Sequence, residues 1–216
     1  RVCVDANRCG GEPPAVTEIF DIVLANGELV HAWYREASPE APTLLFLHGA
    51  RRSLYGSTHR IDRLAGLGLN VLAIDYRGFG RSTTRLPSED SALDDSRAAF
   101  AELQRRQPDP RRRFLYGYSL GGAMAIALAA EHDGIAGVVV ESSFTSIPDL
   151  VRASRWGWVP FLDAVVTQEF DSRSRIGRVS EPLLLVHGTA DGVIPHTMSD
   201  ELFAAAVAVP TGAKHL

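Results

Sequence analysis

The sequence predicts an α/β protein built on a mostly parallel sheet flanked by helices. Three observations carry this. Short apolar runs recur at 43–47, 71–74, 114–116, 138–140 and 182–186, and they are too continuous for strands with one wet face. Stretches with helical spacing or composition separate them, at 57–67, 91–107, 122–130 and 196–205. Finally, Gly117-Tyr118-Ser119-Leu120-Gly121 joins one apolar run directly to a small-residue, helix-like run.

The elements follow in order. Residues 1–15 are polar and rich in glycine and proline, so a flexible lead-in is expected ahead of a single domain over 16–216. Residues 17–24 alternate as a strand, Asn26-Gly27 is a hairpin turn, and 29–34 is the return strand. This places an antiparallel hairpin at the N-terminal edge of the sheet. Residues 38–42 form a loop containing two prolines, and 43–47 begins the parallel part. A helix over 57–67 leads to the strand 71–74, which ends in Asp75-Tyr76-Arg77-Gly78-Phe79-Gly80. The glycines permit a sharp exit there, and Asp75 is suited to cap backbone amides. The helix over 91–107 stops before Pro108. After the serine turn and its helix comes the strand 138–140. Residues 142–180 are irregular, a short lid segment with helices expected at 147–155 and 160–168. The strand 182–186, a helix over 196–205 and a last strand at 206–209 close the pattern.

Composition narrows the class. With 216 residues and 45% hydrophobic content the chain is long enough for one full core. A net charge of −4 gives no global attraction to nucleic acid. The basic residues are 21 arginines and one lysine, Lys214. The clusters Arg51-Arg52 and Arg111-Arg112-Arg113 read as solvated surface. Cys3 and Cys9 both lie in the lead-in, with no zinc spacing. Because the chain opens with arginine, a removed leader or membrane anchor and an extracytoplasmic Cys3–Cys9 disulfide are the favoured expectation. Two free thiols are the alternative. No run approaches the length of a membrane-spanning helix.

The chemistry centres on Ser119. A serine on a tight strand-to-helix turn stands clear of the sheet, and glycines on both flanks relieve the collision its neighbours would cause. The positive end of the following helix points to where a reacting acyl oxygen gathers charge. Serine needs a base, and the base needs an orienting carboxylate. In this fold class those groups sit in loops at the carboxyl ends of strands. Asp191, just past the strand 182–186, is the expected acid; Glu141, ending an earlier strand, is the alternative. His215, preceded by glycine and following Asp191, is the expected base, with His196 as the fallback. His48 and His187 each precede glycine at a strand end and are expected to shape turns. The expected oxyanion donors are the backbone N–H groups of Leu120 and Ala50, with Arg51 next. Trp156 and Trp158 in the lid segment, together with Arg51, are the expected substrate contacts.

These residues resemble the α/β-hydrolase superfamily, in its short-lid branch similar to serine aminopeptidase-like and monoacylglycerol-lipase-like enzymes. The matching pieces are Leu47-His48-Gly49, Asp75 through Ser82, Gly117 through Gly122, and His187-Gly188-Thr189-Ala190-Asp191, with Gly212-Ala213-Lys214-His215 fitting less closely. The resemblance implies an eight-stranded sheet of the α/β-hydrolase fold, no cofactor, and hydrolysis through an acyl-enzyme. It carries nucleophile to Ser119, acid to Asp191 and base to His215. The chain departs from the pattern in ending one residue after that histidine and in having Ala50-Arg51-Arg52 where many relatives carry asparagine or glycine. The expected function is hydrolysis of a small or medium carboxylic ester. A thioesterase or small-amide hydrolase, and a non-catalytic binder on the same scaffold, are the alternatives.

Overall fold

The computed structural model describes residues 16–51, 53–154 and 167–216. Cys3, Cys9, Trp156 and Trp158 lie outside these residues. Eight strands form one sheet in the order β1-β2-β4-β3-β5-β6-β7-β8. They are β1 (Glu18–Val23), β2 (Leu29–Arg35), β3 (Thr43–Leu47), β4 (Asn70–Ile74), β5 (Arg113–Tyr118), β6 (Gly137–Glu141), β7 (Leu183–Val186) and β8 (Lys214–His215). Only the pairs β1–β2 and β2–β4 are antiparallel; the rest run parallel. The helices are α1 (Leu54–Gly66), α2 (Glu89–Arg106), α3 (Leu120–Glu131), α4 (Ile147–Ala153), α5 (Ser172–Ile176) and α6 (Thr197–Ala205).

Local chemistry accounts for the boundaries. Gly27 closes the first hairpin at φ +82°, a conformation that favours glycine. At the start of α2, Ser88 accepts the Ser91 N–H at 3.2 Å while the Ser91 hydroxyl accepts the Ser88 N–H at 3.0 Å. Acids in its first turn and arginines in its last complement the helix dipole. α1 starts three residues earlier than its apolar pattern suggests, because the carboxylate of Asp75 accepts the Leu54 N–H at 2.8 Å and sets the first turn.

The core has two layers. One face of the sheet packs against α2, α3, α5 and α6, with Leu45, Leu72, Phe100, Ile126, Val140 and Leu202 fully enclosed or nearly so. The other face packs against α1 through Trp33, Phe46, Leu54 and Ile61. α3 is buried almost all round, which explains its alanine-rich, non-amphipathic sequence. β3 and β4 are buried on both faces. β7 is not: Leu183 and Leu185 are buried while Leu184 and Val186 are exposed.

One expectation needs correction. Residues 206–209 are not a strand; Ala206 and Val209 are buried in irregular chain that turns back to the sheet. The last strand is β8, whose Lys214 and His215 pair with Leu183 and Leu184. In the lid segment, α4 forms over Ile147–Ala153, whereas most of the span 160–168 lies outside the described residues.

The sheet is locked to α3 by glycines. A Cβ at Gly121 would lie 1.9 Å from the Leu47 carbonyl oxygen, and one at Gly117 would lie 2.1 Å from the Gly121 carbonyl oxygen. Neither neighbour is a movable side chain. Gly121→Ala is therefore expected to destabilise the fold by about 3 kcal/mol or more. Gly188→Ala, where the added atom meets nothing within 4 Å, is the control. Urea unfolding of the two variants measures the difference; equal midpoints would contradict the packing argument.

Candidate active site

Parallel topology brings four loops to one end of the sheet. The loops after β3, β5, β6 and β7 line a single cavity of about 500 Å³. Its wall contains Gly49, Ala50 and Arg51 from the first loop, Ser119 from the second, Ser142 from the third and Asp191 from the fourth.

Ser119 occupies the apex between β5 and α3 at φ +55°, ψ −118°. A non-glycine residue rarely adopts this conformation, and such strain clusters at functional sites. It is held from three sides. The Ser119 N–H donates to the Glu141 carbonyl at 2.9 Å, and its carbonyl accepts from Gly122 N–H and from the Ser143 hydroxyl, both at 2.9 Å. A Cβ at Gly49 would stand 3.1 Å from the Ser119 Cβ, so the loop after β3 passes directly beside the serine. Leu120 begins α3, and its N–H therefore has no acceptor within the helix. Ala50, in the loop beside the serine, is exposed and lines the same cavity. Ser142, immediately after β6, is also left-handed at φ +47° and donates its N–H to Val186 at 2.8 Å. Sequence reasoning missed it, since nothing in Glu141-Ser142-Ser143 marks a positive φ.

Asp191 is fixed by its own turn. Its Oδ1 accepts the N–H groups of Val193 at 2.8 Å and Ile194 at 3.0 Å. Burial pushes the carboxyl upward, but these two N–H groups and nearby His187 more than offset it and hold the pKa below the ordinary aspartate value. Oδ2 lies 3.6 Å from His187 Nε2. His187 itself braces the turn, with Nε2 against the Ile194 carbonyl at 3.0 Å and Nδ1 against the Ser199 hydroxyl at 2.6 Å. The carbonyl can only accept, so Nε2 carries the proton and Nδ1 accepts from Ser199.

The loop carrying Gly49 and Ala50 is anchored through buried Asp75. One carboxylate oxygen takes the Leu54 N–H and the other lies 3.4 Å from the Arg81 N–H. Gly80 permits this approach, for a Cβ there would fall 1.7 Å from Oδ2. His48 is fully buried, with Nδ1 bonded to the Gly49 carbonyl at 2.8 Å and its ring packed on Tyr76 and Phe79. Both histidines that precede glycine thus shape turns, as expected.

The remaining expectations separate. Glu141 does not serve this cavity: its carboxylate is held by Arg60 at 2.9 and 3.3 Å and by the Tyr116 hydroxyl, in a neighbouring cavity with His59 and Arg63. His196 is exposed at the start of α6 and absent from the wall. His215 is not brought to Ser119. It is an exposed residue of β8 opposite Leu184, and it lines a different groove with Phe114, Gly137 and Pro182. Those residues mark the amino ends of β5, β6 and β7, whereas Ser119 and Asp191 follow the carboxyl ends. Placing the last strand at 206–209 put His215 in the loop after it; in the structure His215 belongs to the strand itself. Among the described residues no histidine lines the Ser119 cavity.

The Glu141 cluster has a measurable consequence. Burial raises its pKa, and the bonds from Arg60 and Tyr116 outweigh this, leaving it below the ordinary 4.5. The folded state thus binds this proton less readily than the unfolded chain. The contribution is complete above pH 4.5 and is lost as pH falls through the lowered folded value. Glu141→Gln is expected to cost stability at pH 7, with the gap to wild type closing below pH 4.5. Denaturation midpoints across this range test it; a gap that widens in acid would refute the assignment.

Comparison with known proteins agrees with the geometry. Residues 38–170 match the family described as serine aminopeptidase, S33. An uncharacterized Mycobacterium tuberculosis protein, Rv2307c, is 35% identical over 205 residues, covering 91% of this chain and 72% of that protein. Protein bem46 of Schizosaccharomyces pombe is 34% identical over 164 residues, covering 73% of this chain and 54% of its own length. Among solved structures, the Pyrococcus furiosus esterase Pf2001 superposes with a TM-score of 0.75 at 21% identity, covering 93% of this chain and 83% of that one. Est1E of Butyrivibrio proteoclasticus, solved with ferulic acid, gives 0.73 at 17%, covering 91% and 88%. At those identities the two structures speak for the fold alone. The strained serine turn, the sheet order and the match over 38–170 make this chain an α/β-hydrolase of the serine aminopeptidase S33 family.

Proposed function

We propose that this hydrolase cleaves carboxylic esters of small or medium acyl groups through an acyl-enzyme on Ser119. The single observation that carries the reading is the left-handed Ser119, set at the start of α3 beside the loop of Gly49 and Ala50. The Ser119 hydroxyl attacks the carbonyl carbon. The developing oxyanion is received by the N–H groups of Leu120 and Ala50, a kind of donor worth about 2.7–4 kcal/mol each. Collapse expels the alcohol and leaves an ester on Ser119. Water then attacks that ester, and the acid departs as the serine recovers its proton.

Asp191 supports this as the orienting carboxylate. Its depressed pKa keeps it ionised, and it shares the cavity with Ser119. The base that Asp191 would orient has to be an imidazole side chain that reaches the level of that carboxylate. β8 runs parallel to β7 and has reached only Leu184 at His215, with Leu185, Val186 and the following turn still ahead. His215, beside Leu184, stands short of that level, and we therefore do not assign the base to it.

The same apparatus serves thioesters and small amides, and the family description favours a peptidase arm in any substrate test. In the full-length protein a fluorophosphonate is expected to label Ser119, and Ser119→Ala to lower ester turnover by at least about 10⁴-fold. Asp191→Asn is expected to lower kcat by about 10⁴-fold with little change in folding. His215→Ala is expected to keep turnover within about threefold of wild type, the ordinary outcome for an exposed residue outside the site. A panel of p-nitrophenyl esters, a thioester and an aminoacyl anilide reads these out. Absence of labelling in folded protein would leave a binder on a hydrolase scaffold, and a large loss in His215→Ala would return the base to that residue.

A further inference from the structure

The mouth of the Ser119 cavity carries an unspent cation. Most arginines near described carboxylates are committed: Arg60 to Glu141, Arg77 to Asp95, Arg97 to Glu131 and Arg175 to Glu89. Arg51 lines the cavity, is exposed, and has no ion pair or hydrogen bond of its side chain among the described residues. The other charged residue on the wall, Asp191, is already bonded to the N–H groups of its own turn.

A second feature lies next to it. Ser53 is 3% exposed and faces the same cavity. It occupies the N-cap position of the 13-residue α1, yet its hydroxyl does not cap that helix. An N-cap serine ordinarily bonds the N–H two or three residues on. Here the first turn of α1 contains no acid, and neither does the first turn of α3 across the cavity. A guanidinium and an uncommitted buried hydroxyl therefore meet in one cavity, and the nearest carboxylates are committed elsewhere, Asp75 to the Leu54 N–H at the start of α1 and Asp191 to its own turn.

We propose that the physiological substrate carries an anionic group, a carboxylate or a phosphate, besides its scissile ester, and that Arg51 and Ser53 receive it. This rests on the esterase reading above, and it deepens that reading by naming the substrate class. α3 serves the transient oxyanion. Arg51, with the Ser53 hydroxyl, serves the permanent charge and sets which end of the substrate enters first. Arginine suits both anions because its planar fork donates two parallel hydrogen bonds.

The test uses full-length protein and matched ester pairs that differ only in charge. Phenyl butyrate against 3-carboxyphenyl butyrate places the anion on the alcohol side. Phenyl valerate against phenyl hemiglutarate places it on the acyl side, with product followed chromatographically. One anionic partner is expected to be preferred by about tenfold in kcat/KM, mainly through a lower KM. Arg51→Gln should collapse that ratio toward one, Arg51→Lys should retain part of it, and 0.5 M salt should erode it. In parallel, glutarate and inorganic phosphate are titrated in a thermal-shift assay with wild type and Arg51→Gln. A rise in Tm with one anion, absent in the variant, names the group recognised. If neutral esters turn over with no anionic preference in either pair, the substrate class is wrong and the esterase reading stands. If no ester is cleaved but an anion raises Tm through Arg51, the anion site stands and the esterase reading fails. Equal thermal shifts in wild type and variant, with no preference, overturn the proposal.

Discussion

The contact on which the architecture rests is the near-touching of backbone between the first turn of α3 and the ends of β3 and β5. Gly117 and Gly121 leave no room for a side chain between these elements. Three consequences follow from that one approach. It forces the chain to reverse within a single residue, which puts Ser119 into its left-handed conformation. It directs the start of α3 at the space above the sheet. It also sets the serine against Gly49, so Ser119 and the loop after β3 are positioned by the same packing. Strain at one residue is tolerated because the surrounding backbone bonds over-determine it.

Around this contact, polar groups act as fasteners more than as reactants. Asp75 ties the start of α1 to the turn after β4 and so holds the α1 end of the loop containing Ala50. His187 braces the turn that presents Asp191, and Glu141 closes a small network with Arg60 and Tyr116 away from the serine. Each of these sits at a strand end and carries a chemistry-bearing side chain. Proximity to the strand ends is therefore a poor discriminator; which face the side chain takes, and which N–H groups it satisfies, decides its part.

Much of this was legible. Continuous apolar runs identified β3 and β4 because both faces are covered, and periodicity has no alternation to show there. The serine turn announced itself through paired glycines, whose demand is steric and local. Ser142 was invisible because its left-handed backbone goes with the bond of its N–H to the Val186 carbonyl on β7, a partner far away in sequence. The place of His215 in β8 has the same origin. Gly212-Ala213-Lys214-His215 has the composition of a catalytic loop, and nothing local distinguishes it from the first residues of a strand.

By itself, the sequence determined the α/β class, the hairpin at the edge, the serine at the apex and the acid beyond β7, because each follows from sterics or burial within a few residues. Only the tertiary structure decided where the last strand begins, that His215 faces the amino ends of its neighbours, and that Arg51 and Ser53 share the serine's cavity. Those are matters of register between segments far apart in the chain. Register is set by the summed packing of whole strands, and no short stretch of residues contains it.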